Sequence, residues 1–563
     1  MSYRFRLKHI YAGKEGDAAN AQLKKLVKSY GAQIVSRPHT LSQRDVVLIS
    51  YGDSIRQADQ HPMDTLASFL RTHVGDIVNT VHLLPFYPYS SDDGFSVMDY
   101  HQVDPALGKW ESIAELATDY RLMFDAVINH ISRESDWFKG YLADDPKYDN
   151  FFILCPPSQD LSAVVRPRAL PLLTEFQSDA GRSLHVWTTF SADQVDLNYK
   201  NYKVLVAVIE ILLFYLSRGA RLIRLDAIAF LWKQPGTPCI HLPETHEIIK
   251  LIRQILSEVA PEIILITETN VPHTENISYF GNGDDEAHMV YNFALPPLLA
   301  HSIIKGSSVE LTDWAKSLRL FRGRTCFFNF TASHDGVGLR PVENILSKKD
   351  IERLVRTATE HGGFVSCKSN ADGSQSPYEL NCNYMDLLTP PSESDELRSK
   401  RMLLSQAIML AMPGVPGIYL HSLVGSQNDS EGVKRTGHYR TINREKLDYG
   451  ALESELRDTS SIRHQIMTQF KQLLRVRKKE SAFHPFGTFE ILSLGEAVFA
   501  ILQISPNKKS SVIALHNVTN ENATVFLNKA GSKLYDLISG ETFSGPTIEL
   551  RPYTVRWLKQ KEA

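Results

Sequence analysis

At 563 residues, 43% of them hydrophobic, the chain is long enough to bury a large core and to hold more than one structural unit. Lysine and arginine number 61 against 64 aspartates and glutamates, with no basic tract, which argues against a nucleic-acid partner because a phosphate backbone needs a concentrated positive field. No apolar run approaches the roughly 20 residues that cross a bilayer, and the opening MSYRFRLKHIYAGKEGDA lacks the apolar stretch of a secretory signal, so the chain reads as cytoplasmic and free of membrane.

Residues 1–45 read as a helical extension. Short β-rich apolar runs then alternate with longer helical stretches, the pattern of a parallel sheet. The runs are Val46–Ser50, Thr80–Leu84, Arg121–Ile128, Arg221–Leu225, Ile263–Thr267, Met289–Tyr291, Cys326–Phe330 and Gly417–Leu420, with helices such as Tyr202–Leu216 and Glu244–Val259 between them. Eight such steps predict an α/β fold, a (β/α)8 TIM barrel built from residues 46–128, 200–335 and 387–478. Two intervals are too long for plain connections: 129–199 after the third strand and 336–386 after the seventh. Both are expected to be inserted loop domains, because long loops in compact enzymes usually carry function. After residue 478 the texture changes to short alternating segments (AVFAILQI, SVIALHNV, ATVFLN), which predicts a C-terminal antiparallel β-domain over 479–563. Cys155, Cys239, Cys326, Cys367 and Cys382 are scattered without metal-ligand spacing and read as reduced thiols.

Barrel active sites lie at the C-terminal ends of the strands. There the sequence sets Asp125 with Asn129 and His130 after the third strand, Arg224 and Asp226 after the fourth, Glu268 after the fifth, and His334 with Asp335 after the seventh. One aspartate at a strand end is an ordinary turn former. Several buried acids in register are costly unless paired or put to use. Arg224, two residues before Asp226, projects to the same strand face and can keep that carboxylate ionised.

DAVINH, RLIRLDAIAF, ITETN and TASHDG, in that order, resemble the four signature regions of glycoside hydrolase family 13, the α-amylase family. SSDDGFSVMDY, VVRPRALPLL and AMPGVPGIYLHSLVGSQND narrow the resemblance to its sucrose phosphorylase subfamily, whose members phosphorolyse α-glucosides. It extends over nearly the whole chain. The resemblance implies Asp226 as nucleophile, Glu268 as general acid/base and Asp335 as the third acid, the pair that retaining glycosyl transfer needs plus a support for the transition state. It implies His130 and His334 as ligands of sugar hydroxyls, Asp92 at the far edge of the glucosyl ring, Phe95 as its apolar platform, and Arg444 closing the pocket. Arg166 and Arg168 resemble the subfamily's arginine-bearing loop, which offers cations to phosphate; Tyr378 and Glu379 complete the expected substrate-binding set.

Two positions depart from sucrose phosphorylases. Asn270 stands where those enzymes carry a histidine that contacts fructose, and Phe230 where they carry a tyrosine. Both departures fall on the acceptor side, so sucrose is disfavoured. A carboxylate acceptor such as glycerate is expected ahead of glycerol or fructose. No metal and no organic cofactor are expected; the partners are a sugar substrate and inorganic phosphate. A hydrolase or transglycosylase would share every catalytic residue and differ in needing no phosphate. A non-catalytic barrel would typically lack the acids.

Overall fold

The computed structural model describes residues 2–319, 325–370, 373–527 and 533–560. Eight parallel strands close into a barrel: β1 Val47–Ser50, β2 Thr80–Leu83, β3 Arg121–Ala126, β4 Ala220–Leu225, β5 Ile264–Thr267, β6 Met289–Tyr291, β7 Cys326–Asn329 and β8 Val415–Tyr419. Each pairs with its sequence neighbours, and β8 closes the ring on β1 through Val47–Gly417. Their near-continuous apolar runs follow from burial on both faces, by the barrel interior and by the helices outside. Gly417 in β8 has a packing reason: a Cβ there would sit 2.3 Å from the ring of Phe328, which fills the interior.

The third strand is shorter than the sequence run predicts. Pairing stops at Ala126 because the next two carbonyls go elsewhere: Val127 O accepts from the Tyr100 hydroxyl at 2.8 Å and Ile128 O from the Tyr199 hydroxyl at 2.7 Å. The helix Tyr202–Ser217 is apolar on nearly every face, unlike an ordinary barrel helix. The N-terminal helix Gly13–Gly31 accounts for this by packing on its outer side, where Tyr30 donates to Glu210. The preceding helix Arg4–Ile10 lies on the barrel helix Pro243–Val259, and Arg6 meets Glu247 at 3.3 Å.

Between β3 and β4 the chain forms two small antiparallel pairs, His130–Ser132 with Gln194–Asp196 and Leu173–Gln177 with Ser183–Trp187. Between β7 and β8 it forms a helix, Lys348–Glu360, and a three-stranded sheet of Val337–Gly338, Gln375–Asn381 and Phe364–Ser369. Ala371 and Asp372, within the second long interval, lie outside the described residues. The C-terminal region is a six-stranded antiparallel sheet with a two-stranded partner, Ala523–Phe526 and Thr547–Leu550. Period-2 alternation serves two cores there. Phe499, Ile501, Val512, Ala514 and Trp557 face the main core, while Val498, Ala500, Ile513, Leu515 and Leu558 face a second one closed by Val525 and Ile548. Asn528, the last residue of the expected ATVFLN run, is outside the described residues. No described helix is long and apolar enough to cross a membrane.

Candidate active site

The sheet ladder itself carries the acids into place. The Asp226 N–H donates to Ala126 O at 3.1 Å and the Glu268 N–H to Leu225 O at 3.0 Å, so each acid sits one step beyond the end of its strand, side by side. Arg224, buried in β4 opposite Asp125 of β3, donates through Nη1 to Asp125 and, at 2.8 Å, to Asp226 Oδ1. The other oxygen of Asp125 meets His82 Nε2 at 2.6 Å. Ala227 is held in the left-handed region at φ 48°, unusual for a residue with a Cβ, and its N–H donates to Glu268 Oε2 at 3.0 Å. That strained step ties the end of β4 to the carboxylate of β5.

The opposite wall comes from β7 and the loops beyond it. Phe95 stacks on His334, ring centroids 4.7 Å apart and planes within 2°. Asp335 lies 2.5 Å from Arg440 Nη1 and 3.4 Å from His334 Nε2. Arg440 also grips Glu379 with both arms, Nε to Oε1 at 3.0 Å and Nη2 to Oε2 at 2.7 Å. Asn270 donates to the Tyr378 hydroxyl at 3.3 Å. Gly338 makes room for that amide, since a Cβ there would lie 2.6 Å from Asn270 Oδ1.

One cavity brings together Asp226, Glu268 and Asp335 with Asp92, Phe95, His130 and His334. Arg168, Asn270, Tyr378 and Glu379 line it too. Arg224 lies beneath this lining, against Asp226. Two expected residues are elsewhere. Arg166 lines a separate groove with Pro272, Arg340 and Lys368, and its guanidinium donates to Leu170 O, closing the bend that separates it from Arg168. Arg444 lies behind the cavity, donating to His334 O at 2.8 Å and pairing with Asp93 at 2.5 Å. His130 lines the cavity but uses both ring nitrogens inside the protein: Nε2 meets Phe95 O at 2.9 Å and Nδ1 meets Asn129 Nδ2 at 3.2 Å. The His334 Nδ1, in contrast, is buried with no protein partner. Arg440, Gln194, Phe190 and Phe293 line the cavity and were not expected. Among the described residues, one group of ligand-type side chains is close enough to hold an ion, His301 with Glu310 and Asp350. Lys305 already pairs with Glu310 there, and none of the three lines the cavity.

The charges are unequal. Burial pushes Glu268 upward and the nearby Asp335 carboxylate adds to the shift, while Arg224 and, less strongly, the Ala227 N–H only partly oppose it. Burial raises Asp226 as well, with Glu268 and Asp125 contributing, against the pull of Arg224. Two carboxyl groups in this position favour sharing one proton, and the guanidinium bonded to Asp226 leaves the negative charge there. Burial would also raise Asp335, but Arg440 and Arg444 hold it well below the usual carboxylate range. Burial keeps His334 and His130 neutral. Tyr378 is pushed up to about 12 by burial and by Glu379, so it stays a neutral donor.

The α-amylase catalytic-domain model matches residues 75–335. A glucosylglycerate phosphorylase of Spirochaeta thermophila is 47% identical over 92% of this chain and 90% of its own length. One from Escherichia coli is 47% identical over 92% of each chain. The crystal structure of a sucrose 6F-phosphate phosphorylase from Thermoanaerobacter thermosaccharolyticum superposes with a TM-score of 0.75 at 23% identity, covering 90% of this chain and 98% of that one. With the four acid-bearing strand ends in place around one cavity, the chain belongs to glycoside hydrolase family 13, the α-amylase family, in its sucrose phosphorylase subfamily.

Proposed function

We propose that this enzyme is a retaining glycoside phosphorylase that moves a glucosyl unit from glucosylglycerate to inorganic phosphate, giving α-glucose 1-phosphate and glycerate. The observation that carries the mechanism is the asymmetry of the two carboxyl groups. Asp226 is bonded to the Arg224 guanidinium at 2.8 Å, whereas Glu268 accepts from the Ala227 backbone N–H at 3.0 Å. Asp226 is therefore the anionic nucleophile and Glu268 the protonated acid. Asp226 attacks the anomeric carbon while Glu268 gives its proton to the departing glycerate oxygen. A phosphate oxygen then attacks the glucosyl ester, Glu268 takes back a proton, and Asp226 leaves as carboxylate. Asp335, kept ionised by Arg440, can hold sugar hydroxyls and the positive charge that develops on the ring.

Phosphate and glycerate must use one site in turn, since both bond to the same carbon. Arg168 is the arginine of the loop that lines the cavity, near Tyr378 and Asn270, and it suits either anion. Asn270 can donate to a hydroxyl or a carboxylate. In the synthetic direction, glucose 1-phosphate should be consumed faster with glycerate than with glycerol or fructose at equal concentration. Preference for fructose would make the enzyme a sucrose phosphorylase, and turnover without phosphate would make it a hydrolase. We also assign it to the cytoplasm, a reading supported by five cysteines that are all free, four of them buried.

A further inference from the structure

A second large groove lies at the other end of the barrel. It has a volume of ≈ 590 Å³ and runs beneath the N-terminal ends of β2, β3 and β4, past Asn79, Arg121 and Gly219. Three further arginines line it: Arg37, Arg218 and Arg221. Among the described residues none of these three guanidiniums forms an ion pair. Arg221 Nη1 meets only the Ala220 carbonyl, at 3.3 Å. The Arg218 guanidinium lies over the rings of Trp110, at 5.3 Å, and Phe214, at 5.1 Å.

The acids of the groove are already committed. Asp119 accepts from Arg71 Nε at 2.6 Å, and Glu262 from the Ser36 hydroxyl at 2.8 Å and the Arg37 backbone N–H at 2.6 Å. Asp45, behind them, is shared by His39 and Arg121. Burial and the nearby Arg37 push Arg221 below the usual guanidinium range, and the neighbouring Glu262 carboxylate offsets only part of that shift. Arginines are rarely collected in this way unless something anionic offsets their repulsion.

We propose that this groove binds an organic phosphate carrying two or more negative charges, at a site separate from the sugar cavity. Three forks favour a polyanion over a single carboxylate. The volume falls within the roughly 300–1,000 Å³ of small-molecule sites and is far larger than free phosphate requires. The half-buried Trp110 adds an apolar wall.

Isothermal titration of the full-length enzyme with ATP, ADP and glucose 1,6-bisphosphate at low ionic strength tests this. At least one should bind with a stoichiometry of one and quench tryptophan fluorescence. Arg37→Ala and Arg221→Ala should each weaken that binding by about one to two decades, the value of one charge-assisted contact. Arg168→Ala, in the sugar cavity, should leave it unchanged. Arg221→Lys, which keeps the charge, should lose less than Arg221→Ala and controls for folding. The proposal is overturned if none of the three ligands binds at millimolar concentration, or if Arg168→Ala abolishes binding while Arg221→Ala does not.

Discussion

In the proposed mechanism a single guanidinium, that of Arg224, decides which of two neighbouring acids is the nucleophile. Asp226→Ala should fold and lose turnover to background, because no other side chain at the site can form the glucosyl ester; steady-state rates with any donor measure this. Glu268→Gln cannot give a proton, so glucosyl glycerate should slow by roughly two to four decades while glucosyl fluoride, whose leaving group needs none, is spared in the first step. Equal loss with both donors would give Glu268 another role. We propose Arg440, 2.5 Å from Asp335, as a positioning residue for the third acid. Its removal leaves Glu379 buried without its cation, a loss of about 3–5 kcal/mol by the measure of broken buried pairs. Asp335, which Arg440 holds low, should then titrate at higher pH. The acid limb of the kcat/KM profile of Arg440→Ala is therefore expected to move up in pH, with Arg440→Lys intermediate. An unmoved limb would detach Arg440 from Asp335.

Elements set these residues by where they stop and how closely they approach. The strand Val337–Gly338 runs so near the loop after β5 that a methyl group at Gly338 would displace the Asn270 amide, 2.6 Å away. Gly338→Ala should therefore raise KM for glycerate in synthesis, with glucosyl fluoride hydrolysis little changed; a matching fall in both would point to general disruption. The barrel and the strand-end acids were legible in the sequence because each lies in a short apolar run with the acid at a fixed offset, and the ladder preserves that offset. The rest depended on loop conformation, which no periodicity encodes. Arg166 and Arg168 would share a face on an extended chain, but the bend closed by Arg166 on Leu170 O sends them to different grooves. Arg440 sits in a 3-10 turn, Tyr439–Asn443, four residues before Arg444, and nothing local marks it as the one that reaches Asp335. The Asp92–Asp93 pair, both with positive φ, turns one carboxylate to the cavity and the other to Arg444, a split invisible in the string SSDDGF.

For the whole molecule, buried histidines make the fold acid-sensitive well above the range of its carboxylates. Burial lowers His421 to about 3, and His516 and His273 to about 4. The unfolded chain takes up these protons near its ordinary value of about 6.5, while the native state refuses them. Between those values the unfolded state binds more protons, so stability rises with pH and is lost as pH falls from about 6.5 toward 4. At pH 5 each group accounts for roughly 2 kcal/mol of that loss. A chain of this length has a large unfolding entropy, so 2 kcal/mol corresponds to a melting shift of only about 2 °C. His421 tests the argument cleanly, because its Nδ1 meets Ser426 Oγ at 2.9 Å and its Nε2 has no partner. Asparagine can keep the first contact and cannot titrate. Calorimetry at pH 7 and pH 5 should therefore show a fall in Tm that is about 2 °C smaller in His421→Asn than in the parent, with little difference between them at pH 7 beyond the loss of packing. An identical fall in the two proteins would mean that His421 is protonated in the native state, or that other groups govern the acid limb.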